Sequence, residues 1–160
     1  LKKLAPLSKI VEKRQELEEL ILRFFALSDA YPNFNTSRQG ISSYLDKYME
    51  KKQKQFSEEE KDEKLQNLKD MLNFVEKNFP WGFKKSSKQH GVSRVFFETI
   101  SVGVHLALKE NTNIIDKKVD VSSWIEGNEF KSFFIGKFKT HDPKKIKDRI
   151  DFVKNHILQG

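Results

Sequence analysis

Four histidines, His90, His105, His141 and His156, are the first residues in this chain that could do chemistry. Two imidazoles share a metal ion most simply at i, i+4 or i, i+2 spacing on one element. No pair here has either separation. His105 lies in a long apolar stretch, where a satisfied core histidine is the expected reading rather than a ligand. His141-Asp142-Pro143 invites comparison with a nuclease turn. A helix-capping aspartate accounts for it, and no second His or Asn motif follows. The chain has no cysteine, which excludes disulfides, thiolate nucleophiles and cysteine-ligated zinc or iron–sulfur centres. It also lacks a P-loop, a GxGxxG run and any glycine pair close enough to cradle a phosphate. Acids crowd together only from Glu58 to Glu63, where the first turn of a helix favours negative charge. Nothing marks the strained turn of a nucleophilic serine. The sequence therefore assigns no catalytic residue, no metal ligand and no cofactor.

What remains is the chemistry of cations. Lys and Arg number 30 against 23 acids, a net charge of +7 that is unevenly spread. Residues 129–160 hold seven Lys and one Arg against four acids, whereas residues 57–79 hold four Lys against seven. The side chains placed to meet phosphate are Lys84, Lys85, Lys88 and Arg94, then Lys137, Lys139, Lys144, Lys145, Lys147 and Arg149. With Phe133, Phe134 and Phe138 among them, they resemble a surface that attracts a polyanion and stacks on its bases. The alternative is that these charges only solvate helices. Lys144 and Lys145 fall in the first turn of a helix, where the dipole disfavours cations. Arg23, in Leu22-Arg23-Phe24-Phe25, breaks its local rule: a guanidinium there must snorkel or find a partner. Glu19 or Glu16, one or two turns back, would make it a buried structural pair; otherwise it meets a ligand or a neighbouring domain.

The elements that position these residues read as helices. Leu17, Leu20, Ile21, Phe24 and Leu27 share one face of a helix over about 8–27, ended by Tyr31-Pro32-Asn33. Ile41, Tyr44, Leu45, Tyr48 and Met49 repeat the spacing. Ser57-Glu58-Glu59-Glu60 is a capping box, opening a helix with Leu65, Leu68, Leu72, Val75 and Phe79 on its stripe and Pro80 at its end. Trp81-Gly82-Phe83 anchors a basic loop. Residues 93–108 are apolar on most sides. A strand is conceivable for so β-branched a run, but its length and the placing of Glu98, Ser101 and His105 favour a central buried helix. The segment 121–134 predicts two short helical pieces. Asp142-Pro143, N-cap followed by first-turn proline, starts a last helix with Ile146, Ile150, Val153 and Ile157 inward. The expected fold is all-α: five or six helices, in one domain over 1–160, around the central apolar one.

Fourteen phenylalanines argue against disorder, and 160 residues can bury a sizeable core. No apolar run approaches the roughly 20 residues that span a bilayer, and the N-terminus has no signal-peptide core. Absence of cysteine fits a reducing cytoplasm. A chain running from Leu1 to Gly160 reads as a piece of something longer.

Four stretches and one tyrosine together carry a resemblance. They are Glu19-Leu20-Ile21-Leu22-Arg23-Phe24-Phe25-Ala26-Leu27 with Tyr31 and Leu45-Asp46-Lys47-Tyr48-Met49; Phe96-Phe97-Glu98-Thr99-Ile100; and Lys147-Asp148-Arg149-Ile150-Asp151-Phe152-Val153. They resemble the helical segment in the N-terminal unit of GmrSD-type restriction endonucleases. The resemblance implies a helical domain packing on an α/β domain that carries an upstream Asp-Gly-Gln-Gln-Arg segment tied to nucleotide binding and hydrolysis. Many members also have a histidine-based nuclease domain downstream. Neither signature is in this chain, so no catalytic residue is carried over. The expected role is a non-catalytic part of a nucleotide-dependent phage-defence protein, with the adjacent α/β domain and DNA as partners and no membrane. A stand-alone helical module that binds protein is the other reading.

Overall fold

The computed structural model describes residues 1–7, 16–34, 36, 40–135 and 142–160. Among these it has seven α-helices and no strand. In chain order they are α1 (Glu16–Ala30), α2 (Gly40–Gln55), α3 (Glu58–Asn78), α4 (Arg94–Glu110), α5 (Ser122–Ile125), α6 (Asn128–Ser132) and α7 (Pro143–Gln159), with a 3-10 turn at Thr112–Ile114. The count exceeds five or six because 121–134 supplies two one-turn helices, the two short pieces its sequence predicts. No helix is long and apolar enough to cross a membrane among the described residues.

The apolar run from 93 to 108 is the hub. As α4 it buries residues all round, from Phe96 to Val104 without a break, and packs on α7, α1, α3 and the 3-10 turn. A helix apolar on every side has to be enclosed by others, and α4 is enclosed. Its tightest neighbour is α7, whose Ile146, Ile150, Val153 and Ile157 are all fully buried. The start of α7 follows the Asp-Pro logic: the Asp142 carboxylate accepts from the backbone N–H groups of Lys144 at 3.1 Å and Lys145 at 3.3 Å. Asp142→Ala should cost about 1 kcal/mol, the usual worth of such a cap, read as a lower urea midpoint.

The α3 stripe is rotated from the one that its leucines suggest. Leu65 is 43% exposed, while Lys64, Met71, Phe74, Val75 and Asn78 are buried. The aromatic and Met side chains offer more area than Leu65, so Phe74 and Met71 take the core, and Lys64 enters with a partner, Asp29. Of the expected capping box one half is made, Glu60 N–H to Ser57 Oγ at 3.1 Å. The Glu60 side chain turns instead to Lys52. On α2, Ile41 and Leu45 are buried but Met49 is 43% exposed, because α2 lies at the edge and packs chiefly on α1. Helix α1 runs one turn past the expected stop at Leu27, and positions 8–15, assigned to its start, lie outside the described residues.

The loop after α3 is held by its aromatics. Phe83 is fully buried against Phe97, ring centroids 4.6 Å apart, and its N–H donates to Leu4 O at 3.0 Å. Gly82 makes this approach possible: its φ is +57°, and a Cβ there would sit 2.6 Å from Leu4 O.

Candidate functional site

The charged residues sort themselves once their surroundings are known. Arg23 is 2% exposed and Glu98 fully buried. Arg23 Nη1 donates to Glu98 Oε1, while its Nε and Nη2 reach Glu19 at 2.9 and 2.6 Å. From the other side Arg149, 1% exposed, donates through Nη2 to Glu98 Oε2 at 3.1 Å. Three helices, α1, α4 and α7, thus each contribute one member of a buried arginine–glutamate–arginine knot. Burial pushes the Arg149 guanidinium below its usual range and Glu98 opposes that; arginine stays charged all the same.

Glu16 pairs with Arg94, not with Arg23. The Arg94 guanidinium holds the Glu16 carboxyl below the usual carboxylate range, and its Nη2 also reaches Glu19 at 3.2 Å. Arg23→Ala should therefore destabilise the domain by about 1–3 kcal/mol, since among the described residues Glu98 keeps only Arg149. Chemical denaturation checks this. A mutant that melts like the parent would return Arg23 to the ligand reading.

The ten cations assigned to phosphate separate into three groups. Arg149 has to be taken off the surface: it is locked into the knot, where no polyanion reaches it. Arg94 and Lys147 are partly exposed but engaged, the first with Glu16 and Glu19, the second with Asp151 four residues on. Lys137 and Lys139, with Phe138, lie outside the described residues. Lys85, Lys88, Lys144 and Lys145 are exposed and Lys84 half-buried, and none of the five has a carboxylate partner among the described residues. Lys85 Nζ lies 5.0 Å from the Phe134 ring centroid, a cation–π distance. That contact sets the 84–88 loop beside Phe133, Phe134 and Ile135, the last 78% exposed. The structure thus joins one part of the basic surface to the aromatic segment.

A second ionic group links α1, α2 and α3. Lys64 Nζ donates to both Asp29 oxygens at 2.7 and 2.8 Å, and Tyr48 Oη donates to Asp29 at 2.8 Å. Burial works against the Asp29 charge, yet these bonds and Lys52 hold the carboxyl below its usual range. Tyr44 Oη donates to Ala26 O at 2.9 Å. The two tyrosines of α2 thereby tie this edge helix to α1.

The described histidines do not converge on a metal site. His156 stacks on Phe152 with centroids 3.9 Å apart, its Nδ1 within 2.8 Å of Phe152 O. His90 is exposed, and His141 is outside the described residues. Among the described residues no group of three or more His, Asp or Glu could hold a metal ion. His105 packs edge-on to Phe24, centroids 5.5 Å apart. Burial, then Lys109, pushes its pKa down to about 4.

The folded state thus resists protonating a group that the unfolded chain protonates near 6.5. Stability is retained above that value and lost as pH falls toward 4. His105 is 9% exposed, not fully buried, which softens the effect to about 1–2 kcal/mol. His105→Gln should flatten this part of the pH dependence of unfolding.

The chain matches no protein-family model, no curated protein and no solved structure. The knot itself was half legible beforehand. Arg23 announces itself as a charge in an apolar run, but so does Glu98, a carboxylate inside the most apolar helix, and so does Arg149, three residues past Ile146 and four before Val153 on the inward stripe. An acid and a base that each break an apolar pattern are candidates to be one another's partners.

Proposed function

We propose that this chain is a non-catalytic helical scaffold of a GmrSD-like, nucleotide-dependent phage-defence protein. It packs on an α/β domain of the same protein and offers DNA a basic surface, in the reducing cytoplasm that the lack of cysteine fits. What carries the reading is the buried knot. Arg23, Glu98 and Arg149 come one each from three of the four stretches that bear the resemblance, so those three have one physical reason to occur together in a chain. Such residues hold a frame; they do not turn over substrate. The surface that the frame presents is the set Lys84, Lys85, Lys88, Lys144 and Lys145, cations left without carboxylate partners among the described residues.

Phosphate contacts by these lysines release counterions, so binding to duplex DNA should be non-specific, with Kd about 10⁻⁴–10⁻⁶ M at physiological salt. It should weaken steeply from roughly 50 to 200 mM salt. Changing the five lysines to Glu should abolish binding and leave the helical circular dichroism spectrum unchanged. Fluorescence anisotropy of a labelled duplex across that salt range is the test. Absence of binding by the parent at low salt, or equal salt slopes for parent and variant, would remove DNA from the reading. An Asp-Gly-Gln-Gln-Arg segment in the same reading frame would support the parentage, and a full-length gene without one would refute it.

A further inference from the structure

A cleft of about 710 Å³ opens where α1, α2, α3 and α4 meet, with Ser28, Lys51, Glu63, Asn67, His105 and Lys109 in its wall. Its size is within the range of small-molecule sites. Its polar groups are unusual for a surface hollow between packed helices. His105 is 9% exposed and makes no hydrogen bond through its ring among the described residues. The Ser28 hydroxyl is buried and has no partner among the described residues. The imidazole nitrogens, unlike the Ser28 hydroxyl, are not enclosed, so they can take a partner from the cleft.

The chemistry of these groups narrows what that is. The amide of Asn67, the N–H of a neutral imidazole and the ammonium groups of Lys51 and Lys109 can all donate. Lys51, Asn67 and Lys109 have no side-chain hydrogen bond to a described residue. Lys64 and Asp29, on the same wall, already satisfy each other, and Glu60 is held by Lys52. A group that only accepts, and carries negative charge, fits this set. Glu63 is the one acid of the wall with no ion pair among the described residues, and it is exposed, so it repels such a group from the edge.

We infer that the His105 cleft binds a small polar organic anion, through a carboxylate or phosphate group seated between His105, Asn67 and Lys109. The anion lies on the α3–α4 side of the domain, independent of any DNA surface, and the inference does not rest on the scaffold reading. Binding brings a negative charge to the imidazole. His105 therefore becomes easier to protonate, against the groups that face it now: Asp29 from α1, Glu63 and Lys64 from α3, and Lys109 from its own helix.

The test is a titration of the His105 ring resonance by NMR, with inorganic phosphate and citrate as probes and sodium chloride at matched ionic strength as control. The expected result is a saturable shift with phosphate or citrate, absent with chloride, and a His105 titration midpoint that rises from about 4 when the probe is bound. Lys109→Gln should weaken the probe by about five-fold, and Glu63→Gln should tighten it by a similar factor, as partly exposed charges do. Both are surface positions, so the fold is spared. Shifts that grow linearly and match those with chloride would overturn the inference. So would a saturable shift that neither variant alters, because the anion would then sit elsewhere.

Discussion

Replacing Glu98 with Gln should cost the domain about 3–5 kcal/mol, the range for breaking a buried ion pair by removing one partner. The change keeps the size of the side chain and one accepting oxygen, so what it removes is charge. Arg23 would retain half-exposed Glu19, but Arg149, at 1% exposure, would lose its ion pair with the Glu98 carboxylate. This is why the loss should exceed that for Arg23→Ala, which leaves the Glu98–Arg149 pair in place. Urea denaturation followed by far-UV circular dichroism measures it.

A companion variant separates charge from packing. Glu98→Leu with Arg23→Met and Arg149→Met removes all three charges together, and such replacements are often neutral or stabilising. It should recover most of the loss. If Glu98→Gln unfolds within about 0.5 kcal/mol of the parent, as surface changes do, the knot does not hold these helices together.

The parts of the fold that were legible are those where one physical signal dominates. Asp142-Pro143 starts α7 because cap and ring both act within four residues, and the inward stripe from Ile146 to Ile157 follows at helical spacing. The run from Phe96 to Leu108 is a helix for reasons of length and period, despite its β-branched content. Where two signals compete, the sequence is ambiguous. Leu65 and Phe74 cannot both face the core of α3, and the choice falls to area and to the partner that Asp29 offers Lys64, which lies 35 residues away in the chain.

The candidate site divides in the same way. A run of lysines shows a basic segment, but not that Lys147 closes on Asp151 or that Arg149 turns inward. Burial of a charge depends on the helix that covers it, and the cover for Arg149 is α4. His105 was legible as a core histidine by its apolar neighbours. The cleft beside it was not, since its wall is assembled from four helices.

Gly103→Ala should destabilise the domain by about 2–3 kcal/mol, although alanine is the better helix former by nearly 1 kcal/mol. Gly103 lies in the middle of α4 and faces Ile150 and Val153 of α7. A Cβ there would sit 2.7 Å from both Cβ and Cγ1 of Val153 and 3.1 Å from Ile150 O. The Ile150 carbonyl belongs to the α7 backbone and cannot turn aside, and Val153 is held at full burial. The two helices must separate, which loosens the Ile146 and Ile150 contacts on the same face. Because Arg149 extends from that face to Glu98, the shift should also lengthen the knot.

Val153→Ala offers a graded check, since it removes both γ carbons, Cγ1 among them, but keeps Cβ. Relief should be partial: the double mutant should be less destabilised than the sum of the singles by about 1 kcal/mol, a coupling expected of neighbours in contact. Thermal and urea unfolding of parent, both singles and the double complete the cycle. Strict additivity would show that α7 yields without cost. A Gly103→Ala variant more stable than the parent would mean that helix propensity, not the close approach of α4 and α7, governs this position.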